Sequence, residues 1–194
     1  MDETETETET ETETEGVAVG GGPVTVREMT PEDEPGVAAL FAACEDYFAA
    51  ATGNPALPAD VQSLYYALPE GADPDQKRLL VMCRGESVVG LVDVVDRHPD
   101  VAGCSVGLFL VAPEARREGI GTHVARRLLE EAAGRGMRNV TATCPSEWEP
   151  GLGFLRSLGF EIGPPREAPG GTVGNRLRRP EETGLCTALL QQAR

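Results

Sequence analysis

The sequence predicts an α+β (mixed α/β) fold: a central mixed, mostly antiparallel sheet of six to seven strands flanked by about four helices. Three observations point to it. β-rich runs at 78–83, 87–96 and 104–111 follow one another closely enough to pair antiparallel. An amphipathic stretch from Gly121 then separates the third run from another at 139–144, the spacing of a crossover helix that lets two strands run parallel. Finally, 194 residues give room for one core of ordinary size, whereas two domains would both be small.

Residues 2–15 repeat Thr-Glu and offer nothing apolar to bury, so residues 1–22 are expected to be a disordered acidic tail followed by a Gly linker. The folded domain is then 23–194. It opens with a short alternating strand at Val24–Met29. Thr30-Pro31-Glu32-Asp33 supplies a hydroxyl N-cap, a proline and acids, which start a helix carrying Val37, Leu40, Phe41 and Cys44 toward the core. A second helix is expected over Ala59–Leu68. Runs Arg78–Cys83 and Ser87–Asp96 join through Arg84-Gly85-Glu86 as a hairpin, and Cys104–Val111 makes the next strand. From Gly121, Val124, Leu128 and Ala132 form one apolar stripe, and Gly134 and Gly136 end the helix. Asn139–Cys144 is a strand, Pro150–Leu158 a short helix stopped by Gly159, Phe160 begins another strand, and Leu185–Leu190 is the last. Residues 163–184 are too rich in Gly, Pro and Arg to assign.

Charge and cysteine usage exclude several function classes. Of the formal net charge of −15, Asp2 and seven Glu between positions 3 and 15 supply eight, leaving about −7 for the rest. That balance disfavours nucleic-acid binding, which needs clustered Lys and Arg, and suits an amine substrate. The five cysteines form no C-x-x-C pair, so neither a disulfide framework nor a metal site is expected. With an acidic N-terminus and no apolar run of membrane-span length, a cytoplasmic protein without membrane contact is expected.

The chemistry is concentrated in Val111-Ala112-Pro113-Glu114-Ala115-Arg116-Arg117-Glu118-Gly119-Ile120-Gly121-Thr122, where a strand ends, a loop turns and a helix starts. The free N–H groups of a helix's first turn point outward together and carry partial positive charge, so a pyrophosphate finds several donors at one point. Gly119 and Gly121 remove Cβ atoms where the backbone must approach the phosphate, and Arg116 and Arg117 are placed to add charge-assisted hydrogen bonds. Rival phosphate motifs do not fit. A dinucleotide fingerprint would need Gly where Val124 stands, and a P-loop would need a lysine that lies far upstream.

These residues resemble the GNAT acetyltransferases, whose motif is a strand ending in V-x-P followed by [RQ]-x-x-G-x-[GA]; it stands here as Val111-Ala112-Pro113 and Arg116–Gly121. A second landmark, a short helix ending in Gly-Phe, appears as Phe154–Phe160. The likeness runs from about Val24 to Leu190. It implies acetyl-CoA as cosubstrate, lying where Cys104–Val111 and Asn139–Cys144 splay apart. Backbone groups of Leu110 and Val111 would then meet the pantetheine and thioester. Those of Arg117, Gly119, Gly121 and Thr122, with Ile120 inside the same turn, would meet the pyrophosphate. Gly107-Leu108 and Asp93 also match bacterial members with a Gly-Leu-rich central strand and an Asp in the preceding one.

Acetyl transfer needs a neutral amine and a polarised thioester carbonyl. Many relatives use a strand Glu as base, but Ser105 occupies that position here, and Asp93 is the expected substitute. Leu155 stands where relatives carry a proton-donating Tyr; Tyr65 or Tyr66 is a candidate replacement. Trp148 falls near a family Asn that touches pantetheine. Asp96, His98 and Asp100 are expected to be solvated turn charges, His123 a surface residue, and Cys144 a buried thiol. The leading function is therefore N-acetyl transfer from acetyl-CoA to an amine of a small molecule or protein, by direct attack in a ternary complex. The missing Glu and Tyr keep open a catalytically degenerate acyl-CoA-binding or regulatory module, and the tail an acidic interaction protein. Acceptor identity is not legible, and a homodimer is left open.

Overall fold

The computed structural model describes residues 17–19, 22–164, 166–167 and 184–191. The Thr-Glu repeat and most of 163–184 lie outside the described residues. Strands are β1 (Val17–Val19), β2 (Gly22–Glu28), β3 (Lys77–Arg84), β4 (Ser87–Asp96), β5 (Gly103–Val111), β6 (Asn139–Pro145), β7 (Glu161–Ile162), β8 (Arg166–Glu167) and β9 (Gly184–Gln191). Helices are α1 (Glu34–Ala43), α2 (Glu45–Thr52), α3 (Pro58–Ser63), α4 (Ile120–Gly134) and α5 (Glu149–Ser157). The described strands form one sheet in the order β1-β2-β3-β4-β5-β6-β9-β7, with β8 also on β9. Every pairing is antiparallel except β5 with β6, which α4 connects as a crossover. This is the mixed, mostly antiparallel α+β sheet the sequence predicts. β1, β7 and β8, of two or three residues each, extend the six long strands. β1 pairs with β2 in a segment whose composition reads as linker.

The helices sit on both faces. α1 packs on β4, and its Val37, Leu40 and Phe41 are buried in one cluster with Val81 and Leu91. On the opposite face, Val94, Val140 and Phe160 are buried with Ala132 of α4. The start of α1 is held electrostatically. Arg27 of β2 forks the Asp33 carboxylate at 2.6 and 2.7 Å, and Thr30 N donates to the same group at 2.9 Å. The Arg27 hydrogen bond, against some opposing burial, lowers the Asp33 carboxyl to about 2. A group depressed in the folded state stabilises above its ordinary pKa and stops doing so as pH falls through the depressed one. Asp33→Ala is therefore expected to cost about 2 kcal/mol at neutral pH, and the deficit should shrink as pH is lowered from about 5 toward 2. Paired thermal melts across that range measure it.

Two helices differ from expectation. The predicted first helix breaks at Cys44, whose ψ of 46° leaves the helical region. The break turns α2 so that Phe48 folds back on Phe41, ring centroids 5.0 Å apart, and Asp46 and Tyr47 reach the end of β5. α3 stops at Ser63, short of Leu68, and the chain beyond it presents the Ala67 carbonyl to Lys77. No described helix is long and apolar enough to cross a membrane.

Candidate active site

β5 and β6 pair only from Gly103–Val106 against Asn139–Ala142, although β5 continues to Val111 and β6 to Pro145. Beyond Val106 the strands part. The cause is visible on β5's other edge: Asp93 of β4 pairs with Leu108 and Val94 with Val106, so Gly107 is an extra, bulged residue. A bulge bends its own strand and ends pairing locally. One hydrogen bond spans the gap at this point, from Thr143 Oγ1 to the Gly107 carbonyl at 3.0 Å.

A cleft of about 510 Å³ opens from the splay beneath α4 and α5. At one end it is lined by Arg117, Gly119, Gly121 and Thr122. Gly119 is left-handed at φ +88°, and a Cβ there would meet nothing within 4 Å, so the backbone faces open space. α4 begins with no side-chain cap and no acid in its first turn. Its first helical bond runs from His123 N to Gly119 O, so the N–H groups of Ile120, Gly121 and Thr122 have no intrahelical acceptor. Ile120 is 1% exposed and anchors the turn from below. Glu118, the nearby acid, is neutralised by Arg84. Arg117 is exposed and pairs with no carboxylate among the described residues. These features suit a dianionic diphosphate.

Arg116, predicted beside Arg117 as a phosphate ligand, has a different set of partners. Its guanidinium grips Asp46 of α2 at 2.7 and 3.1 Å, donates to the Val111 carbonyl at 2.8 Å, and lies 5.7 Å from the Trp148 ring centroid. Trp148 Nε1 donates to the same Asp46 at 2.9 Å. Burial acts to raise the Asp46 carboxyl, but the Arg116 and Trp148 hydrogen bonds outweigh it and hold it below its usual range. Arg116 thus locks α2 and the β6–α5 turn onto the end of β5, forming the cleft wall. Tyr47, edge-on to Trp148 at 5.2 Å, is the one tyrosine lining the cleft among the described residues. Tyr66 is 81% exposed, and the Tyr65 hydroxyl donates to Glu34 at 3.1 Å, away from the cleft. Gly151, read from sequence as weakening α5, makes room for Trp148. A Cβ at that position would sit 2.7 Å from Cys144 Sγ and closer still to the indole.

Leu110 is fully buried in β5, and Val111 lines the cleft, on an edge left without a strand partner once β6 departs. Leu155 also lines the cleft and supplies no proton. Ser105 is tied to Thr141 at 2.8 Å across the paired part of the strands. Cys104, in the cleft wall, is an inert thiol pushed up to about 12, mainly by burial. His123 is exposed and Cys144 buried, as expected. Asp96 is not a solvated turn charge: it is 7% exposed and ion-paired to Arg135 at 2.8 Å, because the turn folds it under the end of α4.

Asp93 lies on the other side of the sheet. Its neighbours Val92 and Val94 line the cleft, so alternation turns Asp93 toward the α1 face. Its Oδ2 is 3.5 Å from where a Gly107 Cβ would stand, placing the carboxylate at the bulge. Its Oδ1 accepts from Lys77 Nζ at 2.6 Å, and Lys77 also donates to Ala67 O at 2.8 Å. Burial raises the Asp93 carboxyl above its usual range, and Lys77 offsets only part of that. Lys77 is the sole lysine of the chain. Its pairing with Asp93 is not legible in the sequence, since the contact depends on the β3–β4 register.

The same architecture recurs in solved structures. An acetyltransferase from Thermus thermophilus superposes with a TM-score of 0.64 at 21% identity, covering 87% of this chain and 97% of that one. The GNAT domain of S. lividans PAT gives 0.63 at 15% identity, covering 92% and 97%. The ribosomal-protein-S18-alanine N-acetyltransferase of Escherichia coli gives 0.60 at 14%, covering 87% and 93%. At these identities the likeness speaks to fold alone. Among curated proteins, none matches the sequence. The profile of the acetyltransferase (GNAT) family, however, matches residues 39–160, from α1 through the splay and the open helix start to the end of α5, and on that span the chain belongs to the GNAT acetyltransferase family.

Proposed function

We propose that the chain transfers the acetyl group of acetyl-CoA to an amine of a small molecule or protein, by direct attack in a ternary complex. The observation that carries this reading is one continuous cleft. It joins an uncapped helix start to a strand splay and has a buried carboxylate on the far side of the splay. Backbone N–H groups of Gly119, Ile120, Gly121 and Thr122, with the Arg117 side chain, would hold the pyrophosphate. Arg116 would contribute through the wall it builds with Asp46 and Trp148. The free edge of β5 would meet the pantetheine through Val111, whose carbonyl also takes the Arg116 bond, while Leu110 turns its backbone groups to β4 and packs behind it. A β5 N–H would polarise the thioester carbonyl.

Bound CoA would supply an activated acyl group. Asp93, from the α1 face, accepts a proton from the incoming ammonium, directly or through water. As the amine nitrogen bonds to the carbonyl carbon, the C–S bond breaks, CoA leaves as thiolate, and the second proton shed by the nitrogen passes to that thiolate or to water. A thiol pKa near 8.5 makes that departure tolerable without a strong acid, which fits Leu155. A cytoplasmic setting and an amine-bearing partner complete the reading.

The test uses the full chain with acetyl-CoA and a panel of small amines and N-terminal peptides. Expected results are thermal stabilisation by CoA, thiol release dependent on one class of amine, and the matching mass gain. Failure of CoA to stabilise the fold would discard the donor site. Stabilisation without turnover over the whole panel would favour the second reading, a CoA-binding regulatory module, for which Ser105 and Leu155 speak.

A further inference from the structure

The donor cleft continues past the point where a thioester is needed. We propose that this extension holds an unbranched apolar acyl chain, so that the site which takes acetyl-CoA binds a medium-chain acyl-CoA more tightly; the proposal rests on the donor site above. An amine activated by Asp93 can meet a thioester only at the splay, beside Gly107, because Asp93 and the cleft lie on opposite faces of the sheet. Below that level β5 and β6 are closed by pairing from Val106 and Ala142 downward, and no acceptor can pass between them.

The cleft nevertheless runs on beneath α4, past Val106 to Val94, Ala132 and Val140, and stops at Arg78 and Arg135. From Gly121 to Ala132, α4 alone spans about 16 Å of it. The extension is flanked by Leu158 and Phe160, and no charged side chain lines it before the terminal arginines. Its smallest side chains, Ala132 on the helix and Ala142 and Val140 on the sheet, are 4, 5 and 2% exposed, so the passage is narrow and closed to solvent. Leu155, where a hydroxyl would make the passage polar, keeps it apolar. The stop is electrically satisfied: Arg135 pairs with Asp96 at 2.8 Å, and Arg78 with Glu28 at 2.8 Å and Glu131 at 3.4 Å. A methyl-ended chain therefore fits better than one ending in a carboxylate.

Titration calorimetry of the full chain with CoA, acetyl-CoA, hexanoyl-CoA, octanoyl-CoA and succinyl-CoA tests this without knowledge of the acceptor. Each buried methylene tightens binding by about fourfold at ~0.8 kcal/mol per CH₂. Octanoyl-CoA is thus expected to bind at least roughly tenfold tighter than acetyl-CoA even with most of that gain lost to chain ordering, and succinyl-CoA no tighter than acetyl-CoA. Ala132→Phe, which fills the extension, should collapse the octanoyl-to-acetyl ratio toward one. Because the readout is a ratio, a partial loss of folded protein or of nucleotide affinity cancels. Equal or weaker binding of the longer chains to the wild-type protein overturns the proposal, as does a ratio unmoved by Ala132→Phe. If CoA itself does not bind, the donor site falls instead; if CoA and acetyl-CoA bind and the longer chains do not, only the acyl extension falls.

Discussion

Replacing Gly119 by valine is expected to weaken CoA binding by roughly ten- to a hundredfold, the loss of one charge-assisted hydrogen bond of about 1.5–3 kcal/mol. Two effects add. The side chain would occupy the open space above the α4 amides, where the phosphates must come within hydrogen-bonding distance. A β-branched residue is also strained at φ +88°, so the turn would shift and spoil the alignment of the Ile120, Gly121 and Thr122 donors. Strain alone would lower stability without regard to ligand, and Gly136 separates the two. It lies just past the other end of α4, at φ +86° with nothing within 4 Å of its missing Cβ. Gly136→Val should show a similar fall in melting temperature with CoA affinity intact. If both variants lose affinity equally, or Gly119→Val loses none, the pyrophosphate assignment is wrong.

Local signals in the sequence locate these donors, and long-range ones do not. Ser87–Asp96 is readable to the residue because β-branched side chains fill it and turns bound it on both sides. The start of α4 is readable because two glycines after a strand-ending proline admit few conformations. The bulge at Gly107 is not, since one extra residue changes no composition and shows only when Val94 is found opposite Val106. The partners of Arg116 are hidden for a related reason. Its motif position says that an arginine is wanted, but the carboxylate it grips, Asp46, is seventy residues away on a helix whose break at Cys44 no periodicity announces. Asp96 likewise looks solvated in a turn rich in polar residues until Arg135 arrives from the end of α4.

Asp93→Asn is expected to lower kcat/KM on the order of a hundredfold at neutral pH, the usual range for losing a general base, with acetyl-CoA affinity kept. It should also abolish the acid limb of the pH profile, measured with whichever amine the panel yields. The sign of the wild-type limb follows from the site. A base works only when deprotonated, and burial raises the Asp93 carboxyl while Lys77 pulls it partly back. Activity should therefore rise with pH through a midpoint above the ordinary carboxylate range. Lys77→Met removes the opposing charge, so the limb should move to higher pH; Lys77→Arg retains the charge and should leave it nearer the wild-type position. Stability gives an independent check. With its partner gone, Asp93 titrates higher in the folded than in the unfolded state. The folded protein then binds the extra proton in that window, and the Lys77→Met deficit should grow as pH rises through it, toward about 3–5 kcal/mol for a broken buried pair. A lysine that merely fills space would change melting temperature equally at every pH and leave the limb in place. If Asp93→Asn keeps the limb, the base lies elsewhere; if it removes the limb but the Lys77 variants do not shift it, Asp93 acts as base without help from the lysine.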